Sequence, residues 1–214
     1  TVITTTRPPF LIITVISVML GASTVWYESG TLNGNYLLLA LLGAVAAHIS
    51  VNAFNEYFDF ISGLDLMTQK TPSRGGSGAL PAHPEAARAV YLTAISALLV
   101  TAGTGLFFLT QYGSPLLPLG MAGILLVILY TPHINRYTWM CLLAPGMGVG
   151  PIMVLGTHYV LSGHYSLTPL LVSLPLFFLA NNLLLNQFPD ADADGSKGRR
   201  TAPATFGFTR SSHL

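Results

Sequence analysis

An all-α, polytopic membrane helical bundle is the fold class this sequence predicts, because the chain is poor in charge and apolar over long segments. Only 8% of its 214 residues are charged, against roughly 25% in an average soluble domain, and the mean hydropathy is +0.60. A helix crossing the hydrocarbon needs about 20 largely apolar residues. Segments near 8–26, 36–58, 87–110, 115–131, 139–160 and 168–187 meet or approach that length. The nine Lys and Arg fall before the first segment, around the connections from second to third and from fourth to fifth, and after the sixth. The alternate connections, near 27–35, 111–115 and 161–167, hold none. By the positive-inside rule, this alternation predicts six crossings and a cytoplasmic N-terminus; the expected location is the inner (plasma) membrane.

The elements follow in order. Arg7 and Pro8 open the first helix; no clean cleavage site follows it, so it reads as a membrane helix rather than a signal peptide. The second ends in NAFNEYFDFISGLD, Asn52 to Asp65. The connection over 59–86 is the longest and most polar, and its KTPSRGGSGALP has the Gly and Ser that allow close backbone approach to a ligand. Pro115, Pro118, Pro145, Pro151 and Pro175 lie in or beside later helices, where neighbours can satisfy freed carbonyls. Helix six runs into NQFPDADAD, Asn186 to Asp194, followed by GSKGRRT. The whole of 1–214 reads as one membrane domain. Cys141, the single cysteine, excludes an intramolecular disulfide and reads as a small packed residue. A net charge of +1 argues against a nucleic-acid partner.

Six of the eight acidic residues lie in the two polar clusters; Glu28 and Glu85 are the others. Asn52, Asn55 and Asp59 share a helix face at spacings of three and four, and Gly63 can turn Asp65 back toward them. Asn186, Asp190 and Asp194 repeat the spacing of four, with Pro189 marking a bend. A single carboxylate of this kind is ordinarily a solvated helix-end charge. Two clusters with Asn at a matching offset instead offer converging oxygens for a hard cation; Mg²⁺ takes few carboxylates and shares its shell with phosphates. Glu56 and Asp192 are out of phase and read as supporting or exposed. Lys70, Arg74, Lys197, Arg199 and Arg200 flank the clusters, so a cation bound to a polyanion such as diphosphate would satisfy both signs. His48 reads as a helix–helix hydrogen-bonding group, His158 and His164 lie toward the opposite face, and His133 stays unassigned. Tyr130 is an interface anchor or a ring facing a cation.

These residues resemble a known family. The patterns Asn52-x-x-Asn55-Glu56-Tyr57-Phe58-Asp59-x-x-x-Gly63-x-Asp65 and Asn186-x-x-x-Asp190-x-x-x-Asp194-x-x-x-Gly198-Arg199-Arg200-Thr201 are similar to the two aspartate-rich motifs of the UbiA superfamily of intramembrane prenyltransferases. Arg7-Pro8, GGSG at 75–78, Tyr130-Thr131 and GPIMVLGTHYVLSGHYS at 150–166 resemble its 1,4-dihydroxy-2-naphthoate branch, of menaquinone and phylloquinone synthesis. The resemblance implies Mg²⁺-dependent transfer of a polyprenyl group from its diphosphate to an aromatic acceptor inside membrane lipid. It implies metal ligation by Asn55, Asp59, Asp65, Asn186, Asp190 and Asp194, with Asp59, Asp190, Lys70, Tyr130 and Arg7 as catalytic groups. Asn52, Arg74, Lys197, Arg199 and Arg136 would hold the substrate. Glu56 stands where Asp is usual, and 139–147 lacks the Gly-Leu-Gly-Glu-like run of naphthoate enzymes, leaving 4-hydroxybenzoate, tetrapyrrole or lipid acceptors open. The family fold has nine membrane helices, so about three are expected beyond the six here.

Two rivals differ in their requirements. A CDP-alcohol phosphotransferase needs an Asp-Gly…Ala-Arg…Gly…Asp…Asp run, which the sequence lacks. A cation-coupled transporter usually places its carboxylates near the bilayer midplane, whereas these sit at helix ends beside basic loops.

Overall fold

The computed structural model of the chain describes residues 1–67, 76–180, 184 and 187–213. The long apolar segments are helical, as lipid demands of a backbone whose polar groups have no water to bond. Helices α1 (Leu11–Ser29), α2 (Gly34–Ile61) and α3 (Ala87–Tyr112) lie close to the predicted ranges. Asn33 caps α2, its side chain accepting from the Tyr36 amide at 3.1 Å. The fifth segment forms α5 (Thr138–Met147), a π-helical turn over Gly148–Ile152 and α6 (Met153–Ser162). Pro151 cannot donate a helical hydrogen bond, and the wider turn accommodates it.

Among the described residues, four stretches are long and apolar enough to cross a membrane: Val2–Ser29, Gly34–Ile61, Pro84–Tyr112 and Thr138–Ser162. Two of the six expected helices are shorter over their described residues, and the sixth is described continuously only as far as Ala180. The fourth, α4 (Leu117–Leu129), is bounded by Pro118 at its start and by Pro132, which disfavours helical geometry at Thr131. The sixth divides at Ser173 into α7 (Leu167–Val172) and α8 (Leu174–Ala180). Pro175 has no amide to reach the Leu171 carbonyl, so the ladder breaks there. Ahead of α1 the chain adds a short helix, Val2–Thr5, and a 3₁₀ turn, Pro8–Phe10. This folded N-terminal segment was not foreseen from the sequence.

Between membrane helices, tight packing comes from small residues rather than from a hydrophobic force. A Cβ at Gly21 would lie 2.6 Å from the Val154 carbonyl oxygen, one at Gly43 2.4 Å from Thr104 Oγ1, and one at Gly146 2.6 Å from the Phe177 carbonyl oxygen. These contacts join α1 to α6, α2 to α3 and α5 to α8. Hydrogen bonds add to them: Ser50 Oγ donates to the Ala94 carbonyl at 2.8 Å, and Thr14 Oγ1 meets His48 Nδ1 at 2.6 Å. His48 thus has the helix–helix role its place in the sequence predicts. Leu38, Leu42, Leu99, Leu106 and Phe178 remain exposed, forming an apolar exterior suited to lipid. One end of the bundle gathers the C-terminus of α2 and the polar loops. The other carries the α1–α2 and α6–α7 connections.

Candidate active site

The two acidic clusters meet at one end of a cavity of about 1030 Å³. From the first, Asn52, Asn55 and Asp59 project from α2. Gly63, at φ +75°, ends the helix in a left-handed turn that reverses the chain into Leu64–Leu66. Asp65 is thereby buried in the cavity wall. The second cluster keeps the spacing of four between Asp190 and Asp194. The chain turns at Pro189, and Asp190 starts the short helix α9 (Ala191–Ser196). The Asp194 amide donates to the Asp190 carbonyl at 2.8 Å, so these two carboxylates lie one turn apart and both line the cavity. Asn186 lies outside the described residues, as do Lys70 and Arg74.

Glu56, which its helix phase left as either supporting or exposed, proves to be supporting. It is 1% exposed and ties three segments together. Its Oε1 accepts from Arg7 Nε at 3.0 Å, Arg7 Nη2 at 2.6 Å and the Ser77 amide at 2.7 Å; its Oε2 accepts from Ser77 Oγ at 2.7 Å. The N-terminal segment folds over a helix face that would otherwise be open, and burial follows. Arg7 reaches this position in the left-handed region, at φ +52°, a conformation that costs roughly 1–3 kcal/mol and marks functional positions. Its Nη2 also donates to Asn55 Oδ1 at 3.2 Å, so Arg7 orients a proposed metal ligand while its charge faces the cluster. Gly76 lies over the carboxylates: a Cβ there would sit 3.1 Å from Asp65 Oδ1 and 3.4 Å from Glu56 Oε1. The GGSG segment thus needs glycine there both for space and for its φ of +69°.

Arg199 bridges the two clusters. Its Nη2 donates to Asp59 Oδ1, and its Nη1 lies 3.7 Å from Asp194 Oδ1. Burial lowers its pKa to about 10, with the Arg7 charge acting the same way, so it stays cationic at neutral pH. Asp194 shifts the other way. Burial, then the neighbouring Asp190 charge, push its carboxyl up to about 7; the Arg199 contact, beyond hydrogen-bond length, does not offset them. Such a group accepts further positive charge readily.

The remaining sequence-predicted residues divide. Asn52 lines the cavity, but its amide donates to the Thr6 carbonyl at 2.9 Å, holding the N-terminal segment. Tyr130 is half-buried in the wall. Lys197 is exposed, its Nζ beside Gly63, and Arg136 is exposed; neither side chain lines the cavity. Asp192 is exposed, as its phase predicts. In place of Arg136 the wall takes Asn135, 3% exposed, whose carbonyl accepts the Arg200 amide at 2.9 Å. Asn135 Oδ1 and Gln187 Oε1 are buried without a hydrogen-bond partner among the described residues. Sequence reasoning passed over both, because a lone amide beside a charged motif gives no periodic signal.

Away from the carboxylates the cavity turns apolar, passing Ala44 and Gly43 of α2 to Ala40, and reaching Phe108 and Leu116. From Asn55 to Ala40 along α2 is about 22 Å at 1.5 Å per residue. One polar mouth and one long greasy channel therefore share a single space.

A membrane-embedded helical bundle with an acidic, arginine-bridged mouth and an apolar channel is the class this fold and site define. The profile of the UbiA prenyltransferase family matches residues 12–214, and the chain belongs to that family. A 1,4-dihydroxy-2-naphthoate octaprenyltransferase from Bacillus subtilis (strain 168) is 28% identical over 207 residues, covering 94% of this chain and 64% of the relative. The chain thus spans just under two thirds of that relative's length. Two solved structures of a UbiA homolog from Archaeoglobus fulgidus share its fold at 15% identity, each covering 98% of this chain and 70% of theirs. One, bound to GPP and Mg²⁺, superposes with a TM-score of 0.73; the other, bound to DMAPP and Mg²⁺, with 0.69.

Proposed function

We propose that the chain carries the donor-binding site of a Mg²⁺-dependent polyprenyltransferase, acting on an allylic polyprenyl diphosphate and an aromatic acceptor. The observation that carries this reading is the meeting of two sequence-distant acidic motifs at the mouth of an apolar channel. The channel suits an isoprenoid tail and the mouth its diphosphate. The homolog bound to GPP and Mg²⁺ supports the donor and the metal, and the Bacillus relative supports 1,4-dihydroxy-2-naphthoate as acceptor, in quinone biosynthesis.

The residues present fit a hard cation. Asn55, Asp59, Asp65, Asp190 and Asp194 offer oxygens on one space, and Asp194, held near pH 7 by burial and a like charge, would exchange its proton for metal charge. When bound, Mg²⁺ would neutralise the diphosphate and make it a better leaving group. Arg199 would exchange carboxylate partners for diphosphate oxygens, and Arg7 would hold its charge beside them. Lys197, whose Nζ lies beside Gly63, would add positive charge near the mouth, and Lys70 keeps the charge-stabilising role that the family resemblance implies. As the C–O bond of the donor breaks, its electron pair leaves with diphosphate. Tyr130 would present its ring to the allylic cation and help exclude water. The acceptor's aromatic carbon then forms the new C–C bond, and the ring recovers by losing a proton or a carboxylate as CO₂.

An acceptor screen tests this reading. The protein in detergent, with Mg²⁺ and a polyprenyl diphosphate, is incubated with 1,4-dihydroxy-2-naphthoate, 4-hydroxybenzoate and a tetrapyrrole, and products are read by mass spectrometry. Prenylated naphthoate product is expected. Product with another acceptor alone would reassign the acceptor, and none with any would remove the function.

A further inference from the structure

We propose that Glu28, His158 and His164, at the end of the bundle opposite the carboxylate mouth, form a binding site for a borderline transition-metal dication of the zinc class. The three come from separate elements: the last turn of α1, the body of α6, and the α6–α7 connection. Glu28 Oε2 lies 3.6 Å from Nε2 of each histidine, and the three donor atoms lie within 4.8 Å of one another. At 3.6 Å these are not hydrogen bonds; the donors surround a common point without bonding each other. A tetrahedral ion with bonds of about 2.0–2.1 Å places its ligand atoms roughly 3.4 Å apart, so the observed separations need little closure.

Supporting groups orient each donor. Thr24 Oγ1 gives its single proton to the Gly21 carbonyl at 2.7 Å, so at 2.8 Å it accepts from His158 Nδ1. That fixes the proton on Nδ1 and leaves Nε2 with its lone pair directed at the cluster. His158 is 0% exposed, and its Nε2 has no hydrogen-bond partner among the described residues. A buried lone pair facing a carboxylate at this distance is costly unless a cation lies between them. On the carboxylate side, Ser166 Oγ donates to Glu28 Oε1 at 2.7 Å, leaving Oε2 for the histidines. A histidine whose second nitrogen donates to an oxygen, and a carboxylate held by a hydroxyl, are the usual surroundings of metal ligands.

Ligand chemistry selects the ion. Two imidazoles and one carboxylate favour Zn²⁺ and its late first-row neighbours over Mg²⁺ or Ca²⁺, which prefer oxygen. The side chain of His164 is 61% exposed and that of Glu28 24% exposed, so the site opens to solvent and has an entry path. Bound metal would staple α1 to α6 and to the α6–α7 connection. The site is independent of prenyl transfer.

The test is a titration of the purified full chain, in detergent and Mg²⁺ buffer, with Zn²⁺ followed by calorimetry and with Co²⁺ by visible absorption. One equivalent of Zn²⁺ should bind, with Co²⁺ bands characteristic of nitrogen and oxygen ligands and a higher unfolding temperature. His164→Ala, at an exposed position, should weaken binding by at least about tenfold, and Glu28→Gln likewise. Asp190→Asn should leave it unchanged, which separates this site from the carboxylate mouth. No stoichiometric binding, binding insensitive to His164→Ala, or loss with Asp190→Asn would overturn the proposal.

Discussion

Asp194 sets the expected pH dependence of the acidic mouth. Its folded pKa, raised from 3.8 to about 7, means that the folded protein holds a proton there which the unfolded chain gives up near pH 4. Without metal, the group's contribution to stability is therefore full below pH 4 and lost as pH rises to about 7. Metal reverses the preference, because a bound cation requires the carboxylate. Apparent Mg²⁺ affinity should fall by about tenfold per pH unit below pH 7, as calorimetry at stepped pH would read; a flat profile from pH 5 to 7 would contradict it. Glu56 makes a different prediction. Glu56→Gln removes the charge that faces the Arg7 guanidinium in a buried setting, at a cost on the order of 3 kcal/mol. The unfolding temperature in detergent should drop clearly, and an unchanged one would show that Glu56 is not the hub its contacts describe.

At the scale of the elements, close helix approach makes the glycines sensitive. Gly21→Leu drives a side chain into the Val154 carbonyl and Thr157, so overpacking between α1 and α6 should cost about 1–3 kcal/mol. Gly103, which meets nothing within 4 Å, should accept Ala with no loss, and thermal unfolding of both variants checks the contrast. The long spans were legible in the sequence because apolar length alone sets them. The break at Ser173 was legible only as a proline in an apolar run, since Pro175 marks a break without revealing how neighbouring carbonyls are satisfied. In the second acidic motif the bend at Pro189 was legible from the proline itself, and Asp190 and Asp194 keep their spacing of four on the fresh turn that begins there. Glu56 was legible only as far as supporting or exposed. Helix phase tells which face a residue occupies, not what folds over that face, and here the N-terminal segment does. The pairing of the two carboxylate clusters was legible because only a shared cation explains like charges placed twice. Asn135 and Gln187 carried no such pattern.

Taken whole, the molecule separates its chemistry by bundle end: carboxylates and arginines at one, Glu28 with two histidines at the other, and an apolar channel between. The distribution of Lys and Arg predicts that the carboxylate end faces the cytoplasm. Asp192 and Thr31 are exposed at opposite ends, and native Cys141 is buried, so single cysteines at these two positions report orientation. A membrane-impermeant maleimide added to intact cells should label Thr31→Cys and spare Asp192→Cys; the reverse pattern would invert the assignment. The central claim, that the two acidic clusters act as one metal–diphosphate clamp, is tested most directly by radiolabelled prenyl transfer into the lipid phase. It is measured with and without Mg²⁺ for the unaltered protein, Asp59→Ala and Asp190→Ala. The clamp predicts Mg²⁺-dependent product, lost by at least about 100-fold in either variant while the helical fold persists. Unaltered turnover in either variant, or product formed equally after Mg²⁺ is chelated, would contradict it.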